Sequence, residues 1–291
     1  MNNTPLVSII VNCFNGEKYL SEAINSILSQ TYNNWEVIFW DNKSTDRSSY
    51  IFKRYKDNRL RYYLSEKHSN LSQARVCAIE KSKGDLISFL DVDDYWDENF
   101  LKEQVSLFND INVKFSCSNF FIVDDKRKTR RVYRRYMPKG NVVDSLLCEY
   151  FVGLLTLMIR RDAYFYVGGF DSNYHMIGDF DLVMKLARYG VLASNNRPLA
   201  YCRKHTSNES LKKVDLTIKE LKHWYTRNKK FYNVNNSNSL NKYKYRLAYE
   251  EVSYEINSGS VTLFEIIKLF QTQTISNITK LIIKQVLRKI K

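Results

Sequence analysis

The chain lacks the features that mark secreted and membrane-spanning proteins. Its five cysteines are odd in number and widely spaced, without a Cys-x-x-Cys pair, so the sequence predicts neither a disulfide framework nor a zinc site. No uninterrupted apolar stretch is long enough to cross a bilayer, and no basic segment followed by an apolar core opens the chain. We therefore expect a protein of the reducing cytoplasm.

Glycine and proline are scarce, with nine and three residues in 291. Neither the Gly-x-Gly-x-x-Gly pattern nor the Gly-x-x-x-x-Gly-Lys-Ser/Thr phosphate loop is present. Any diphosphate is therefore expected to be held by metal and side chains. Acidic residues are also few: 45 Lys and Arg face 31 Asp and Glu, a net charge of +14. This excess indicates an anionic partner, whether nucleic acid, membrane surface or phosphorylated substrate.

The apolar residues predict alternating strands and helices. A hydrophobic content of 44% is enough for a large core. Residues 6–11 and 35–40 have the pattern of buried strands, and apolar side chains recur at helical spacing between them. Further strands are expected at residues 60–64 and 85–90, with a helix at 71–82. This alternation predicts an α/β fold with a parallel, doubly wound sheet.

Two residues are expected to bound helices. Ser44 can cap the start of a helix that runs to about Tyr55. Gly84 can end the helix at residues 71–82 in a left-handed conformation, which glycine adopts without steric cost.

Polar residues follow three of the predicted strands, at residues 12–15, 41–42 and 91–94. In such sheets ligands bind beyond the carboxyl ends of the strands, so these residues are expected to form one cluster. Asp91 and Asp93 are one residue apart and point to the same side of an extended chain. Their hard oxygen ligands suit magnesium or manganese that substrate phosphates also hold. The cluster predicts a site for a metal and a nucleoside diphosphate.

Several segments, taken in order, resemble the motifs of family-2 glycosyltransferases. Residues 7–15 (VSIIVNCFN) resemble the opening strand and loop, residues 40–46 (WDNKSTD) a second loop, and residues 91–94 (DVDD) the DxD motif. The segments VGGFD at 167–171 and GDFDL at 178–182 resemble the acceptor side of the family. The resemblance, which covers about residues 6–210, implies an inverting enzyme of bacterial surface-polysaccharide type. It also implies a GT-A fold, a Rossmann-like and mainly parallel central sheet flanked by helices.

On the donor side, the resemblance implies that Asp41 hydrogen-bonds the base, most often uracil. Asn12, Phe14 and Asn15 would line the nucleoside pocket. Asp91 would contact the ribose or the sugar. The donor is accordingly expected to be a nucleotide-sugar, and a UDP-sugar is the first choice.

For the chemistry, the resemblance implies that Asp93 ligates a divalent cation, manganese or magnesium, and that Asp179 is the general base. His205 lies in a segment that would approach the donor diphosphate, where it or Arg203 would add positive charge. Capping of a helix by Asp179 and an ordinary surface position for His205 remain open alternatives. Arg75 would either reach the donor phosphates or lie on a solvated helix face.

Further positions carry open interpretations. Gly178 stands where many family members have Glu, and Lys43 stands where most have Gly. Lys tolerates a positive φ less well than Gly, so the turn at Lys43 is expected to differ. Trp96 would wall the acceptor pocket or belong to the core. The segment 124–135, rich in Lys and Arg, is expected to be a solvated loop.

The composition changes after residue 210. We expect a catalytic GT-A domain at residues 1–210 and a basic helical extension at 211–291. At 275–290 apolar and cationic side chains follow separate helix faces, which predicts either a helix on an anionic membrane or one packed on the catalytic domain. The protein would then be cytoplasmic and peripheral at the inner face of the cell membrane.

The sequence thus predicts a metal-dependent glycosyltransferase that acts on a glycan or lipid-linked glycan, without a nucleic-acid partner. Two alternatives stay open at this point. A nucleotidyltransferase would also use metal carboxylates, although residues 15–18 match its basic loop poorly. A non-enzymatic basic module that binds membrane or nucleic acid would explain the charge but leave the acidic cluster unexplained.

Overall fold

The computed structural model describes residues 4–206, 208–232 and 237–258. Strands and helices alternate through the first ninety residues, as the apolar pattern predicts. The elements of this half are β1 (Val7–Cys13), α1 (Leu20–Leu28), β2 (Trp35–Asp41), α2 (Ser48–Lys53), β3 (Leu60–Leu64), α3 (Leu71–Glu80) and β4 (Leu86–Phe89). The next elements are β5 (Tyr95–Trp96), α4 (Phe100–Ser106), β6 (Val113–Asp124), β7 (Thr129–Val132), α5 (Val143–Cys148), β8 (Met158–Arg160), α6 (Arg161–Tyr166), α7 (Gly178–Tyr189) and β9 (Val191–Lys204).

One sheet joins the strands in the order β3-β2-β1-β4-β8-β6-β9-β5, and β7 pairs with the outer part of β6. Strands β1 to β4 are parallel, which confirms the predicted doubly wound half. Strand β8 is antiparallel to both β4 and β6, and β6 is parallel to β9. The second half of the sheet is therefore mixed. Because β8 is antiparallel to both of its neighbours, β4 and β6 run in the same direction, and the carboxyl ends of β1, β2, β4, β6 and β9 lie along the same edge.

The core forms because β1 is buried along its whole length in the centre of the sheet. Successive side chains of a strand point to opposite faces, so its odd-numbered apolar residues form one surface. This surface and the apolar face of α1 belong to one cluster, made by Val7, Ile9, Val11, Cys13, Leu20, Ala23, Ile24 and Ile27. The central strand is thereby held in place, and the loop after it is positioned at the edge of the sheet.

Two predicted helix boundaries are wrong. Helix α2 begins at Ser48 rather than after Ser44, and the N–H of Ser48 donates to Asp46 Oδ1 at 2.9 Å. Gly84 has no positive φ; instead, a Cβ atom there would lie 2.5 Å from the backbone nitrogen of Ser8. Glycine is needed at this position because the chain passes β1 closely, which is a tertiary requirement that local spacing does not reveal.

The chain divides into two compact units. The first comprises Met1–Leu146 and Tyr150–Lys212, and the second takes Leu147–Glu149 and the chain from Lys213 onward. The first unit also contains the short helix α8 (Glu209–Lys212), and the described part of the second contains α9 (Val214–Tyr232) and α10 (Ser237–Ser258). The assignment of residues 1–210 to a catalytic domain and of residues 211–291 to a basic extension stays a prediction.

Within the second unit, aromatic side chains join the two long helices. The ring of Tyr243 lies 5.5 Å from that of Trp224 and 5.7 Å from that of Tyr225. Through the described ranges, no helix combines the length and the apolar character needed to span a membrane. The predicted amphipathic helix at 275–290 lies outside the described residues.

Candidate active site

The loop after β4 carries the acidic motif and is pinned by its last carboxylate. Asp94 is only 8% exposed, its N–H donates to the carbonyl of Asp91, and its Oδ1 accepts the N–H of Arg203 at 2.8 Å. Burial and the neighbouring charge of Asp93 raise the pKa of Asp94 well above its usual value. Asp94 therefore shapes the loop, whereas the side chains of Asp91 and Asp93 keep exposed fractions of 37% and 28%.

Arg203, on β9, clamps the same loop. Its Nε donates to the carbonyl of Asp93 at 3.0 Å, and its two terminal nitrogens contact Asp125 and Glu22, each at 2.5 Å. The guanidinium also lies 4.6 Å from the ring of Tyr19. Two carboxylates already match its charge, so we assign Arg203 to holding the loop rather than to binding phosphates.

Asp93 forms hydrogen bonds with His205 and Asn208, and its side chain is more exposed than that of His205. Its Oδ2 lies 2.9 Å from His205 Nε2 and accepts the side-chain amide of Asn208 at 3.3 Å. Asp93 and His205, which the sequence predicts separately, are thus brought into contact. Asn208 carries no sequence signal for this role, because it reaches the site only through the chain that follows β9.

The donor atoms around Asp93 fit a divalent cation. Burial, followed by the charge of Asp91, raises the pKa of Asp93, and a bound cation would relieve both effects. Oδ1 of Asp93 accepts no hydrogen bond from the described residues, and its side chain is 28% exposed. The described ranges hold no cluster of three or more acidic, His or Cys side chains for a metal. An ion at this position would be held by one or two carboxylates and by substrate phosphates.

Arg75 lies in the interior, so the solvated-face interpretation is wrong. Its side chain is 6% exposed, and one Nη donates to both oxygens of Asp91 at 3.1 and 3.3 Å. Its positive charge also lowers the pKa of Asp179. One buried cation thus pairs with the donor-side Asp91 and acts electrostatically on the predicted base.

Asp179 lies in the first turn of α7, one residue after the first residue of the helix. The N-cap position belongs to Ile177, so Asp179 is not the capping residue. Burial raises the pKa of Asp179, while the charge of Arg75 and a hydrogen bond from Tyr150 oppose that increase. The Tyr150 hydroxyl donates to Oδ2 at 3.0 Å. A carboxylate with a raised pKa that keeps one oxygen oriented suits a general base.

The neighbouring Gly178 leaves no room for a second acidic side chain. A Cβ atom at this position would lie 2.2 Å from Ser72 Oγ on α3. Ser72 is fully buried and donates to the carbonyl of Tyr174. The difference from the family pattern therefore reflects packing between α3 and α7.

This contact gives a stability prediction. We expect Gly178→Ala to destabilise the protein by about 1–3 kcal/mol, because extra volume is forced into a filled space. Ser72→Ala removes Oγ and leaves a contact of 3.4 Å, so the double variant should lose less stability than the two single losses together. Urea unfolding of the four proteins measures the coupling. Strict additivity would show that the two side chains do not compete.

On the donor side, Asp41 ends β2 with both oxygens engaged. It is 1% exposed, Oδ1 accepts the N–H of Ser44 at 2.8 Å, and Oδ2 accepts the hydroxyl of Tyr62 at 2.7 Å. Burial raises the pKa of Tyr62 to about 12, so the hydroxyl stays protonated and can donate. Asp41 closes the loop, and its contact with the base stays a prediction.

Asn12 has a buried side-chain amide at the end of β1. It is 8% exposed, and neither atom of its amide has a hydrogen-bond partner among the described residues. A buried amide without partners costs about 1–3 kcal/mol and is rare in proteins. A polar ligand group beside Asn12 would remove this cost, which favours its predicted place in the nucleoside pocket.

Phe14 and Asn15 occupy the loop after β1. Phe14 is 50% exposed, and its ring lies 4.3 Å from that of His68, so an aromatic surface faces solvent here. Asn15 uses its side chain to accept the N–H of Thr45 at 2.8 Å. It therefore joins the loops of β1 and β2, and lining of the pocket by Phe14 and Asn15 stays a prediction.

Lys43 adopts a φ of 70° in the loop after β2. The turn is kept in spite of the side chain, at a cost of about 1 kcal/mol for an L-residue in this region. We expect Lys43→Gly to stabilise the protein by up to that amount, whereas Lys43→Ala should bring no gain. Thermal melts of both variants test the prediction. An Ala variant as stable as the Gly variant would show that backbone strain is not the cause.

Trp96 belongs to the core rather than to an exposed pocket wall. It is 3% exposed, its indole N–H donates to the carbonyl of Leu155 at 2.7 Å, and its ring stacks on Phe100. The core interpretation is therefore the correct one.

Taken together, hydrogen bonds join Asp93 with His205 and Arg75 with Asp91, and the positive charge of Arg75 acts on the carboxylate of Asp179. The nucleoside-side residues lie at the adjacent ends of β1 and β2, where Cys13 pairs with Asp41. A model of the family described as glycosyl transferase family 2 matches residues 8–183, more than half of the chain. The chain belongs to this family. Family membership favours glycosyl transfer over the nucleotidyltransferase and the non-enzymatic alternatives.

Among characterised relatives, this glycosyltransferase is similar to UDP-Glc:alpha-D-GlcNAc-diphosphoundecaprenol beta-1,3-glucosyltransferase WfgD of Escherichia coli. The two are 32% identical over 156 residues, which is 54% of this chain. The match spans 60% of that relative's length, less than two thirds. Sequence similarity thus supports the catalytic part of the chain and leaves the activity of the whole protein as a proposal.

Solved structures confirm the GT-A fold. Residues 1–349 of TarS of S. aureus, in complex with UDP-GlcNAc, align with a TM-score of 0.60 at 18% identity, covering 75% of this chain and 66% of that TarS chain. The mannosyltransferase PcManGT of Pyrobaculum calidifontis, in complex with GDP-Man and Mn²⁺, aligns with a TM-score of 0.59 at 16% identity, covering 93% and 80%. At such identities the likeness concerns the fold alone.

Proposed function

We propose that this glycosyltransferase moves a sugar, with inversion, from a UDP-sugar to a hydroxyl of a glycan or lipid-linked glycan. The proposal places the reaction in surface-polysaccharide biosynthesis at the inner face of the cell membrane. The observation that carries it is the buried Arg75, which donates to Asp91 of the DxD loop and whose charge opposes the rise in the pKa of Asp179 on α7. One buried cation thereby acts on a carboxylate of the donor side and on the candidate base.

The chemical step requires one base. Asp179 accepts the proton of the acceptor hydroxyl while that oxygen attacks the anomeric carbon. The bond between the anomeric carbon and the diphosphate oxygen breaks, and the nucleoside diphosphate departs with the electron pair. A single displacement of this kind inverts the anomeric centre.

Other residues bind and orient. Asp93 would hold a manganese or magnesium ion with the help of Asp91, and such an ion, when bound, stabilises negative charge on the departing diphosphate. His205 and Asn208 keep Asp93 oriented through its Oδ2. Tyr150 orients Asp179, so the base presents its other oxygen.

The choice of UDP rests on the relatives and on the pocket. The donor of WfgD is UDP-Glc, and TarS binds UDP-GlcNAc, whereas the more distant PcManGT binds GDP-Man. The lipid-linked acceptor follows the diphosphoundecaprenol in the name of WfgD. The unpartnered amide of Asn12 offers one donor and one acceptor to a base or ribose.

The first experiment is a thermal-shift titration with UDP, GDP and manganese. A ligand selective for the folded state stabilises it by about 2.7 kcal/mol at a hundredfold excess over Kd, so UDP with manganese should raise the Tm clearly. Metal-dependent hydrolysis of a panel of UDP-sugars then identifies the sugar. A larger shift with GDP would overturn the UDP assignment, and no shift with either nucleotide would overturn the donor site.

A further inference from the structure

The segment 126–135 is strongly basic. Seven of its ten residues are Lys or Arg and none is acidic. It is ordered as the outer part of a β-hairpin, in which Phe121 pairs with Val132 and Asp124 with Thr129. All four residues of β7 are exposed. The predicted solvated loop is therefore an exposed, cationic hairpin with a defined backbone.

The hairpin lies beside the catalytic loop. Strand β6 is parallel to β1, so its carboxyl end, where the hairpin turns, reaches the edge that carries the active site. Asp125 in the turn pairs with Arg203, and Arg203 donates to the carbonyl of Asp93. Only one side chain thus separates the turn from the DxD loop.

The positive charge of the hairpin is not neutralised by its surroundings. Its two nearest carboxylates are engaged, Asp124 with Arg127 and Asp125 with Arg203. Among the described residues no carboxylate forms an ion pair with five other cations of the segment, Lys126, Lys128, Arg130, Arg131 and Arg135. Arg130 is instead positioned over the ring of Phe121, 5.0 Å from its centroid. Five like charges held close together favour an anion with several charges.

We propose that this hairpin binds the diphosphate of a lipid-linked acceptor. The inference rests on the proposed function, in which two diphosphates approach the site, one on the donor and one on the acceptor. The donor diphosphate is matched by the cation expected at Asp93. The hairpin lies on the far side of Arg203 and supplies the charge that the second diphosphate needs. Arg side chains bind phosphate oxygens through two parallel hydrogen bonds.

The test uses the full chain and farnesyl diphosphate, a soluble prenyl diphosphate, with UDP and manganese present to fill the donor site. The hairpin variant carries Lys126→Gln, Arg131→Gln and Arg135→Gln. The control carries Lys81→Gln, Lys83→Gln and Lys102→Gln, which remove the same charge at exposed positions outside the hairpin. Calorimetry should show about tenfold weaker binding in the hairpin variant, a difference of about 1.4 kcal/mol, and wild-type affinity in the control.

The alternatives give different results. Equal affinity in all three proteins, or an equal loss in the control, would overturn the proposal. The proposal would also be overturned if the hairpin variant bound farnesyl diphosphate as the wild type does but no longer bound phosphatidylglycerol vesicles. The hairpin would then be a surface that binds a bilayer. Binding of UDP with manganese is measured separately on each protein. Its absence from the wild type would refute the proposed function, while the comparison of farnesyl diphosphate affinities would still decide the role of the hairpin.

Discussion

Asp179→Asn should keep the binding of UDP with manganese and lose sugar transfer by about a hundredfold or more, because an amide has the same shape but cannot accept the proton. The amide oxygen can still accept the hydroxyl of Tyr150, so local structure is preserved. Asp162 offers a matched control, since it is the second residue of α6 as Asp179 is of α7. Asp162→Asn should transfer at the wild-type rate.

The comparison separates catalysis from helix stabilisation. Both aspartates lie in the first turn of a helix, where a carboxylate interacts favourably with the helix dipole. If both variants lost a similar small fraction of activity, Asp179 would be a structural residue. Single-turnover transfer assays, together with UDP calorimetry, measure the two quantities independently.

The same residue predicts the direction of the pH dependence. The base acts when deprotonated, so transfer should fall as the pH drops through the raised pKa of Asp179. Arg75→Gln removes the positive charge that lowers this pKa, so the acidic limb should move to higher pH. Tyr150→Phe removes the hydrogen bond and should move the limb in the same direction. A limb that is unchanged in both variants would assign the titration to another group.

Asp93→Ala should abolish the manganese-dependent part of UDP binding, a loss of about a hundredfold or more, given that even outer-shell partners of a metal contribute 10–100-fold. The described residues offer few other ligands in the cluster. Calorimetry with UDP, with and without manganese, measures the effect. The adjacent Asp94 is the control, because its carboxylate is turned toward the backbone of Arg203.

Asp94→Asn keeps an oxygen for the N–H of Arg203, so manganese-dependent binding should persist although stability falls. Equal loss in both variants would mean that loop shape, rather than ligation, governs UDP binding. Unchanged binding in Asp93→Ala would move the metal elsewhere or remove it from the mechanism.

Much of the site could be predicted from the sequence because local patterns specify it. The apolar runs of β1, β2 and β4 determine where each strand ends, and parallel strands bring those ends to one edge. The polar residues after them were therefore identified without coordinates. The membrane role of residues 275–291 and the division at residue 210 stay predictions.

Contacts between distant segments were not predictable in this way. Tyr150, Asn208 and Ser72 show no periodicity or motif, and each contributes to the site through side-chain contacts with residues distant in the chain. The role of Gly84 was mispredicted for the same reason. Glycine is required there because the backbone of β1 passes close by, and not because α3 ends in a left-handed conformation. The sequence left two interpretations for Arg75, contact with the donor phosphates or a solvated helix face, and the burial of its side chain excludes the solvated face.

The sequence by itself determined the family, the alternation of strand and helix in the first half, and the identity of the candidate base and metal ligand. The alternation follows from short-range periodicity, whereas the family and the roles of these two residues follow from the resemblance of ordered motifs to that family. Only the tertiary structure decided the direction of β8, the clamp of Arg203 on the DxD loop, and the placement of the basic hairpin beside the site. Strand direction and side-chain pairing depend on packing between residues far apart in the chain, and local spacing carries no information about them.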